Sequence, residues 1–326
     1  MKHLLLFITL SLTISTLAAT KVEIVNNRWH LNGSVTYPGT SVEGLLLNVR
    51  MVNSTFSDRN DATQPKGFDA DANTDRFIAQ IPAYVASGVR AFTLCLQGGM
   101  PGYEKALNSA FDADGSLRSE ELARVARVIH ASDEHGAAVI LGLFYQRQTP
   151  IFKSDDAIRA GVVNAVRWIT EQKFTNVLVE IANEYPHPRF THELIKSPEG
   201  MASLIRLAKE TAPGLLVTAS GYGNGTIHDE VAEVCDFLTP HFNGTGVEKI
   251  PQRLKALKKF TKPIVCNEDN KRGKNAADAL HACVENNASY GLMLQGHNQH
   301  FPFHFDGPED DPVFYSALKE LTQKTP

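Results

Sequence analysis

Two glutamates in this sequence closely follow apolar stretches that are typical of buried strands. Glu184 follows VLVEIA with Asn183 between them, and Glu268 follows PIVC with Asn267 between them. Two carboxylates carried by separate rigid strands suit glycoside hydrolysis, in which one protonates the leaving oxygen and the other attacks or stabilises the anomeric carbon. Glu184 and Glu268 are therefore the candidate catalytic pair, with Asp269 and Asn267 as nearby alternatives.

A glutamate at the start of a loop is more commonly a solvated or capping side chain, so the placement of each carboxylate matters. Alternation along a strand puts Glu180, Ala182 and Glu184 on one face. Glu180 is therefore expected to lie deeper, in a structural ion pair, and Glu184 nearer the open end of the sheet.

A regular alternation of elements surrounds these glutamates. Eight stretches are continuously apolar, as in a parallel sheet buried on both faces, namely residues 44–52, 88–96, 137–144, 176–182, 215–219, 237–241, 263–266 and 290–294. Helical spacing of apolar residues marks 75–86, 120–134, 155–172, 198–212, 247–260, 276–286 and 312–321. Eight strands alternating with helices predict an α/β fold with a single (β/α)8 TIM barrel, whose active site lies at the carboxyl ends of the strands.

Two shorter segments precede the barrel. Residues 22–25 and 28–31 flank Asn26 and Asn27, which predicts a short N-terminal β-hairpin. No Pro/Gly/Ser-rich linker or low-complexity tract interrupts the later alternation. We therefore expect one TIM-barrel domain over residues 20–326.

The composition is that of an ordinary globular protein. Hydrophobic residues make up 43% of the chain and charged residues 21%, which argues against disorder, fibres and a multi-span membrane protein. The 36 acidic and 32 basic residues give a net charge of -4. Such a balance offers no broad basic field for phosphate backbones, so no nucleic-acid partner is expected.

The first nineteen residues have the layout of a secretory signal peptide. Lys2 and His3 precede the apolar run 4–10, and small residues close the segment at Ala18 and Ala19. A membrane anchor is the weaker alternative, because Ser and Thr interrupt a run already shorter than the ~20 residues that span a bilayer. We predict a secreted or periplasmic protein with no membrane attachment after cleavage.

With these elements in place, the sequence resembles clan A glycoside hydrolases, and the cellulase-like family 5 most closely. In that family an Asn-Glu pair ends strand four and a Glu ends strand seven after a Lys-Pro-apolar run. The resemblance implies that Glu184 is the acid/base, Glu268 the nucleophile, and Asn183 the residue that hydrogen-bonds the substrate 2-hydroxyl. His241 resembles the histidine of a strand-six His-x-Tyr motif, with Phe242 departing nearby, and could orient a carboxylate or contact a sugar.

Other strand ends supply candidates for substrate binding and for control of the nucleophile. Arg50 is preferred to Arg90 as the arginine that keeps Glu268 ionised, because Arg50 lies toward the end of its strand. Polar contacts to the substrate are expected from Gln146 after strand three, Tyr222 after strand five, and Gln295 and His297 after strand eight.

The aromatic residues limit the kind of substrate. Met293 to Asn298 occupy the strand-eight position at which the family usually has a sugar-stacking Trp. The two tryptophans, Trp29 and Trp168, lie in the hairpin and in a helical pattern. Polar recognition of a short or modified sugar is therefore favoured over stacking on a long polymer.

The leading hypothesis is a secreted retaining glycosidase that acts on an oligo- or polysaccharide and needs no metal or cofactor. A first alternative is a carbohydrate-binding barrel that has lost turnover, as the missing Trp would allow. A second is a metal-dependent hydrolase that uses residues near the eighth strand, namely His297, His300, His304, Asp306, Asp310 and Asp311.

Overall fold

The computed structural model describes residues 19–324. The predicted signal peptide, apart from Ala19, lies outside the described residues. The described part opens with the expected antiparallel hairpin, in which β1 (Val22–Val25) pairs with β2 (Arg28–Leu31), and a short β3 (Ser34–Val35) adds to β2. Asn26 and Asn27 have φ values of 50° and 62°, the positive values that a two-residue hairpin turn needs and that asparagine tolerates.

Six parallel strands form most of the main sheet. They are β4 (Asn48–Arg50), β5 (Ala91–Cys95), β6 (Ala138–Phe144), β7 (Val177–Ala182), β8 (Val217–Thr218) and β9 (Gly291–Leu292), in the spatial order β8-β7-β6-β5-β4-β9. The open edge between β8 and β9 is closed by single parallel bridges, which join Ser220 to Thr239, Leu238 to Ile264 and Val265 to Ser289. The ring therefore has eight members, and the predicted (β/α)8 TIM barrel is confirmed.

The eight ring members are called barrel strands one to eight below. Strands one to five are β4 to β8, strands six and seven are the extended segments 237–239 and 263–266, and strand eight is β9. Strands six and seven pair with their neighbours through isolated bridges, and a further bridge joins Asp269, beyond strand seven, to Leu292 of strand eight. Both were predicted from their apolar stretches, because buried apolar runs persist even where the ladder is reduced to one or two bonds.

Helices surround the ring. They are α1 (Ala70–Ala86), α2 (Ser119–Glu134), α3 (Asp155–Glu171), α4 (Glu193–Lys196), α5 (Pro198–Thr211), α6 (Asp229–Val234), α7 (Ile250–Leu257), α8 (Lys274–Val284) and α9 (Pro312–Thr322). Helix α1 begins five residues before its predicted start, because the Asp69 side chain caps the backbone N–H groups of Asp71 and Ala72. Between residues 19 and 324, no helix has the length and apolar character needed to cross a bilayer.

The hairpin closes the amino-terminal end of the barrel. Trp29 is only 1% exposed, and its ring meets the Phe237 ring edge-on at 5.2 Å between centroids. Both belong to a small interior cluster with Val22, Leu46, Ala91, Ala138, Ile140, Leu178 and Val265. The barrel is therefore filled at its floor, and the carboxyl ends of the strands are left to form a site.

We expect Trp29→Ala to lower the free energy of unfolding by about 3–5 kcal/mol, because it leaves a cavity in the barrel floor. Urea denaturation followed by circular dichroism measures the change. The matched control is Val25→Ala on the same hairpin, where a side chain that is 42% exposed should change stability by less than about 0.5 kcal/mol. Equal effects of the two substitutions would contradict a sealing role for the hairpin.

Candidate active site

Asn183 and Glu184 lie just beyond the end of barrel strand four. Strand β7 ends at Ala182, and Glu184 has a φ of 49° in the left-handed region, which non-glycine residues rarely adopt. The backbone N–H of Glu184 donates to the Ser220 hydroxyl at 2.8 Å. Side chains alternate between the two faces of the sheet only as far as Ala182, where the strand ends. Beyond it, two consecutive side chains, Asn183 and Glu184, both reach the site.

Arg50 on barrel strand one joins three strands of the barrel. Its Nε lies 2.9 Å from Oε2 of Glu268 on strand seven, and an Nη atom donates to Oδ1 of Asn183 at 2.6 Å. The other Nη lies 3.8 Å from the deeper carboxylate of Glu180. The guanidinium is 1% exposed, so each contact acts with little screening by water.

The surroundings of Glu268 favour its ionised form. Burial by itself raises the pKa of this carboxyl, but the charges of Arg50 and His241 and a hydrogen bond from the Asn243 amide outweigh burial and hold the pKa below its usual value. Glu268 is therefore a carboxylate at neutral pH. A buried, ionised carboxylate held on both oxygens is suited to act as a nucleophile.

His241 on barrel strand six lies between the carboxylates. Its Nδ1 is 3.3 Å from Oε1 of Glu184 and 3.7 Å from Oε2 of Glu268. Its Nε2 is 3.0 Å from Oδ1 of Asn267, whose amide nitrogen donates to Glu180. Since both ring nitrogens face acceptors, the doubly protonated ring fits this site. Burial lowers the pKa of His241, but the three carboxylates outweigh it and raise the pKa overall.

The two candidate catalytic carboxylates are close to each other. One oxygen of Glu184, one oxygen of Glu268 and a ring nitrogen of His241 all lie within 4.8 Å of one another. Both glutamate side chains are largely buried, with exposures of 11% and 9%. The structure thus brings together Glu184, Glu268, Asn183, Arg50 and His241, five of the residues predicted from the sequence.

A small polar cleft of about 210 Å³ opens above these carboxylates. Its lining comes from barrel strands three, four, six, seven and eight, with Tyr145, Gln146, Arg147, Asn183, Glu184, His187, Asn243, Glu268, Asn270, Met293, Gln295 and Gln299. Gln146 and Gln295 are therefore placed to contact a ligand. Tyr222 lies at the rim, 41% exposed, with its ring 5.5 Å from that of the cleft residue His187.

His297 is not among the residues that line the cleft. Its Nε2 lies 3.1 Å from Asp306 and 2.9 Å from Asp310, and its ring stacks on His304. The His297 side chain is engaged by residues of its own loop and does not face the cleft. The structure therefore gives no support to the predicted substrate contact. Arg90 likewise lies away from Glu268 and packs over the Tyr37 ring.

Sequence reasoning missed four residues of the cleft, namely His187, Asn243, Asn270 and Gln299. Asn243 had a usable signal, because it stands two residues after His241, where the His-x-Tyr motif has its Tyr. The others had none. Gln299 reaches the cleft through a π-helical turn over Gln295–Gln299, and no spacing pattern predicts such a turn.

Two groups of side chains have the donor types of a metal site. In the first, Glu184, His241 and Glu268, the positive guanidinium of Arg50 already neutralises Glu268 at 2.9 Å, which disfavours a second cation there. In the second, His297, Asp306 and Asp310, the histidine Nε2 lies 3.1 Å from Asp306 and 2.9 Å from Asp310.

The fold is shared with solved glycoside hydrolase structures. A candidate glycoside hydrolase from Bacteroides vulgatus has a TM-score of 0.62 at 11% identity over 93% of this chain. A β-mannanase from the blue mussel Mytilus edulis scores 0.59 at 11% identity over 94%, and a glycoside hydrolase family 5 enzyme from Prevotella bryantii scores 0.58 at 12% identity over 89%.

This chain spans only 58% of the Bacteroides protein, but 98% of the mussel enzyme and 99% of the Prevotella enzyme. No protein-family model and no curated protein sequence matches the chain. At these identities the likeness shows the fold, the (β/α)8 barrel that family 5 enzymes share.

We expect Arg50→Met to lower the free energy of unfolding by about 3–5 kcal/mol at pH 7, because Glu180 and Glu268 then lose their buried cation. The matched control is Arg147→Met, which removes a pair with Glu104 that is 74% exposed and should cost about 0–1 kcal/mol. Urea denaturation of both variants measures the difference. A similar loss in both would contradict a central role for Arg50.

The same comparison has a defined pH dependence. The folded-state pKa of Glu268 is lowered, so its contribution to stability is fully present above the unfolded value of about 4.3 and is lost as the pH falls through the folded-state pKa. Without Arg50 the folded-state pKa rises. The stability gap between the wild type and Arg50→Met should therefore narrow as the pH falls from the higher folded-state pKa of Glu268 in the variant to the lower one in the wild type, and a constant gap would contradict the charge pairing.

Proposed function

We propose that this chain is a retaining glycoside hydrolase that cleaves by a double displacement on two glutamates. The observation that carries the proposal is the pair of buried carboxylates, Glu184 and Glu268, whose oxygens approach within 4.8 Å while Arg50 holds Glu268. Retaining enzymes keep such groups ~5–5.5 Å apart, whereas inverting enzymes leave ~6.5–9.5 Å for a water molecule. The short separation favours retention of configuration.

In the first step, an oxygen of Glu268 attacks the anomeric carbon as the bond from that carbon to the leaving oxygen breaks. Glu184 gives its proton to the leaving oxygen, so the aglycone departs as a neutral alcohol. The products of this step are a glycosyl ester on Glu268 and an ionised Glu184. Asn183, which accepts from Arg50 and donates to Gln146, is assigned the hydrogen bond to the sugar 2-hydroxyl.

In the second step, Glu184 takes a proton from water while the water oxygen attacks the anomeric carbon. The ester bond to Glu268 breaks, which frees the sugar and restores the carboxylate. Glu184 is then protonated again. Over the whole cycle one water molecule is consumed, and Glu184 regains in the second step the proton that it gave up in the first. No cofactor takes part.

The charges of the site support Glu184 as the acid. Arg50 and a doubly protonated His241 supply two positive charges, while Glu180, Glu184 and Glu268 offer three carboxyl groups. Glu268 and Glu180 both have Arg50 beside them, at 2.9 and 3.8 Å, whereas Oε1 of Glu184 lies 3.3 Å from His241. The arginine therefore favours Glu268 as the ionised nucleophile, and the role of acid goes to Glu184.

His241 can stay charged throughout this cycle. The negative charge moves from Glu268 to Glu184 when the ester forms, and Nδ1 of His241 lies 3.7 and 3.3 Å from their oxygens. One imidazolium can therefore stabilise both states with little movement, which is the preorganised kind of electrostatic stabilisation. The total charge of the buried groups does not change in either step.

The proposed substrate is a carbohydrate, recognised mainly by polar groups. Amide side chains dominate the cleft, and the only aromatic rings in its lining are those of Tyr145 and His187. We also propose that the protein is exported, because residues 1–19 have the layout of a signal peptide. The catalytic domain then comprises residues 20–326. The slightly acidic charge of -4 gives no reason to add a nucleic-acid partner.

The two glutamates should fail in different ways when they are replaced. Glu268→Gln should abolish turnover of every glycoside, since no ester can form. Glu184→Ala should reduce kcat/KM by about 10²–10⁴ on alkyl or sugar leaving groups, but far less on 2,4-dinitrophenyl glycosides, whose leaving group needs no proton. A screen of aryl glycosides and polysaccharides measures both, and NMR identifies the first anomer released.

The control for both variants is Glu193→Gln, which alters a glutamate that is 73% exposed on α4 and should keep full activity. Release of the inverted anomer, or full activity in Glu268→Gln, would contradict the mechanism. Sugar binding with no hydrolysis across the whole panel would instead favour the inactive carbohydrate-binding barrel.

Metal removal separates the proposal from a metal-dependent hydrolase. Exhaustive chelation followed by gel filtration should leave kcat unchanged, because Arg50 and His241 supply the positive charge that a metal would otherwise bring. Inductively coupled plasma analysis of the treated protein confirms that metal is gone. A loss of activity that added Zn²⁺ or Mn²⁺ restores would overturn the two-glutamate mechanism in favour of a metal site.

A further inference from the structure

The loops after barrel strands eight, one, two and three are joined by buried amides. The side-chain nitrogen of Asn53 donates to the backbone carbonyl of Gln299 at 2.6 Å, and the Asn53 oxygen accepts from the Asn108 side chain at 3.2 Å. The backbone N–H of Asn108 donates to Oε1 of Gln148 at 3.2 Å. All four residues are buried, so these bonds are costly to break. We call Gln299, Asn53, Asn108 and Gln148 the amide chain.

Further contacts close the gap between the strand-eight and strand-two loops. The backbone N–H of Phe301 donates to the Pro101 carbonyl at 2.7 Å. The Gln299 carboxamide lies so close to Gly99 that a Cβ there would come within 2.8 Å of it. No sugar unit fits between loops in such contact. Together with the amide chain they form a wall on this side of the cleft.

The rim on the other side of the ring is more exposed, because Tyr222 is 41% exposed, against 7% or less for the four residues of the amide chain. In a ring of eight members, barrel strand eight lies opposite barrel strand four, which carries Glu184. Beyond strand five, Gly223 has no side chain at a position where a Cβ would lie 3.5 Å from Oε1 of Glu184. Tyr222 and His187 present their rings at this rim, tilted by 41° to each other, and the face of one ring can stack on a sugar.

We infer that the enzyme is exo-acting and releases single sugar residues from the non-reducing end of its substrate. This inference rests on the proposed glycosidase function. The leaving oxygen must lie beside its proton donor, Glu184, so the rest of the substrate extends over His187 and Tyr222. The sugar transferred to Glu268 lies toward the opposite side, where the wall ends the cleft.

The size of the cleft agrees with one bound residue on the walled side. Its volume of about 210 Å³ is below the roughly 300–1,000 Å³ of ordinary ligand sites. The buried Gln299 and the more exposed Gln295 supply amides at the walled end, and Met293 also lines the cleft. Amides at a closed end can bond the hydroxyls of a terminal sugar, which an internal residue of a polymer would lack.

A screen of 4-nitrophenyl glycosides in both anomers first establishes which glycosides are cleaved. The test is then the product pattern from cellopentaose, mannopentaose and xylopentaose that carry a fluorescent label at the reducing end. An exo-acting enzyme gives the labelled tetrasaccharide as the first labelled product. Labelled mono-, di- or trisaccharides at the earliest times would overturn exo action and leave glycoside hydrolysis intact. No turnover of any glycoside would overturn the proposed function itself.

Two variants test the wall and the open rim separately. Gln299→Ala keeps the amide chain, which uses the backbone carbonyl, but shortens the side chain at the closed end, and labelled trisaccharide should then appear beside the tetrasaccharide. Tyr222→Ala should raise KM for the pentasaccharide roughly three- to tenfold with kcat little changed.

Val313→Ala, at a side chain that is 52% exposed on α9, is the control. Unchanged products and KM in both variants would overturn the assignment of the two sides.

Discussion

The guanidinium of Arg50 bonds or pairs with three side chains from two other barrel strands, and most of the site follows from that contact. It keeps Glu268 ionised, orients Asn183 and pairs with Glu180, while its own side chain is 1% exposed. Burying a charge of this kind is costly without partners. The partners are therefore fixed by the same interaction that fixes the arginine, and strands one, four and seven are held in one arrangement.

A second layer of contacts sets the fine geometry around that charge. The Ser220 hydroxyl holds the backbone of Glu184 in a conformation that costs energy, and the Asn243 amide holds the oxygen of Glu268 that Arg50 leaves free. Strain of this kind persists only where the surroundings enforce it. The hairpin floor contributes indirectly, because a filled lower barrel gives the strand ends a rigid base.

The sequence predicted the barrel and the central charged residues because both depend on strong local patterns. Continuous apolar runs marked all eight barrel strands, and charged residues at the ends of such runs are conspicuous, as with Glu184, Glu268 and Arg50. The rest of the cleft depends on loops. The pairing of His297 with Asp310 could not be predicted because it is a tertiary contact, and Gln299 was missed because a π-helical turn has no sequence period.

The floor of the barrel also bears on how the chain folds. Trp29 in the hairpin packs on Phe237, and the Leu46 N–H bonds the Ser289 hydroxyl, 243 residues away in the chain. These early residues find their partners only after nearly the whole polypeptide is available, and such long-range closure is slow. An N-terminal segment that cannot complete the fold until the end of synthesis keeps the chain unfolded for longer. If the export predicted from residues 1–19 takes place, that delay is an advantage.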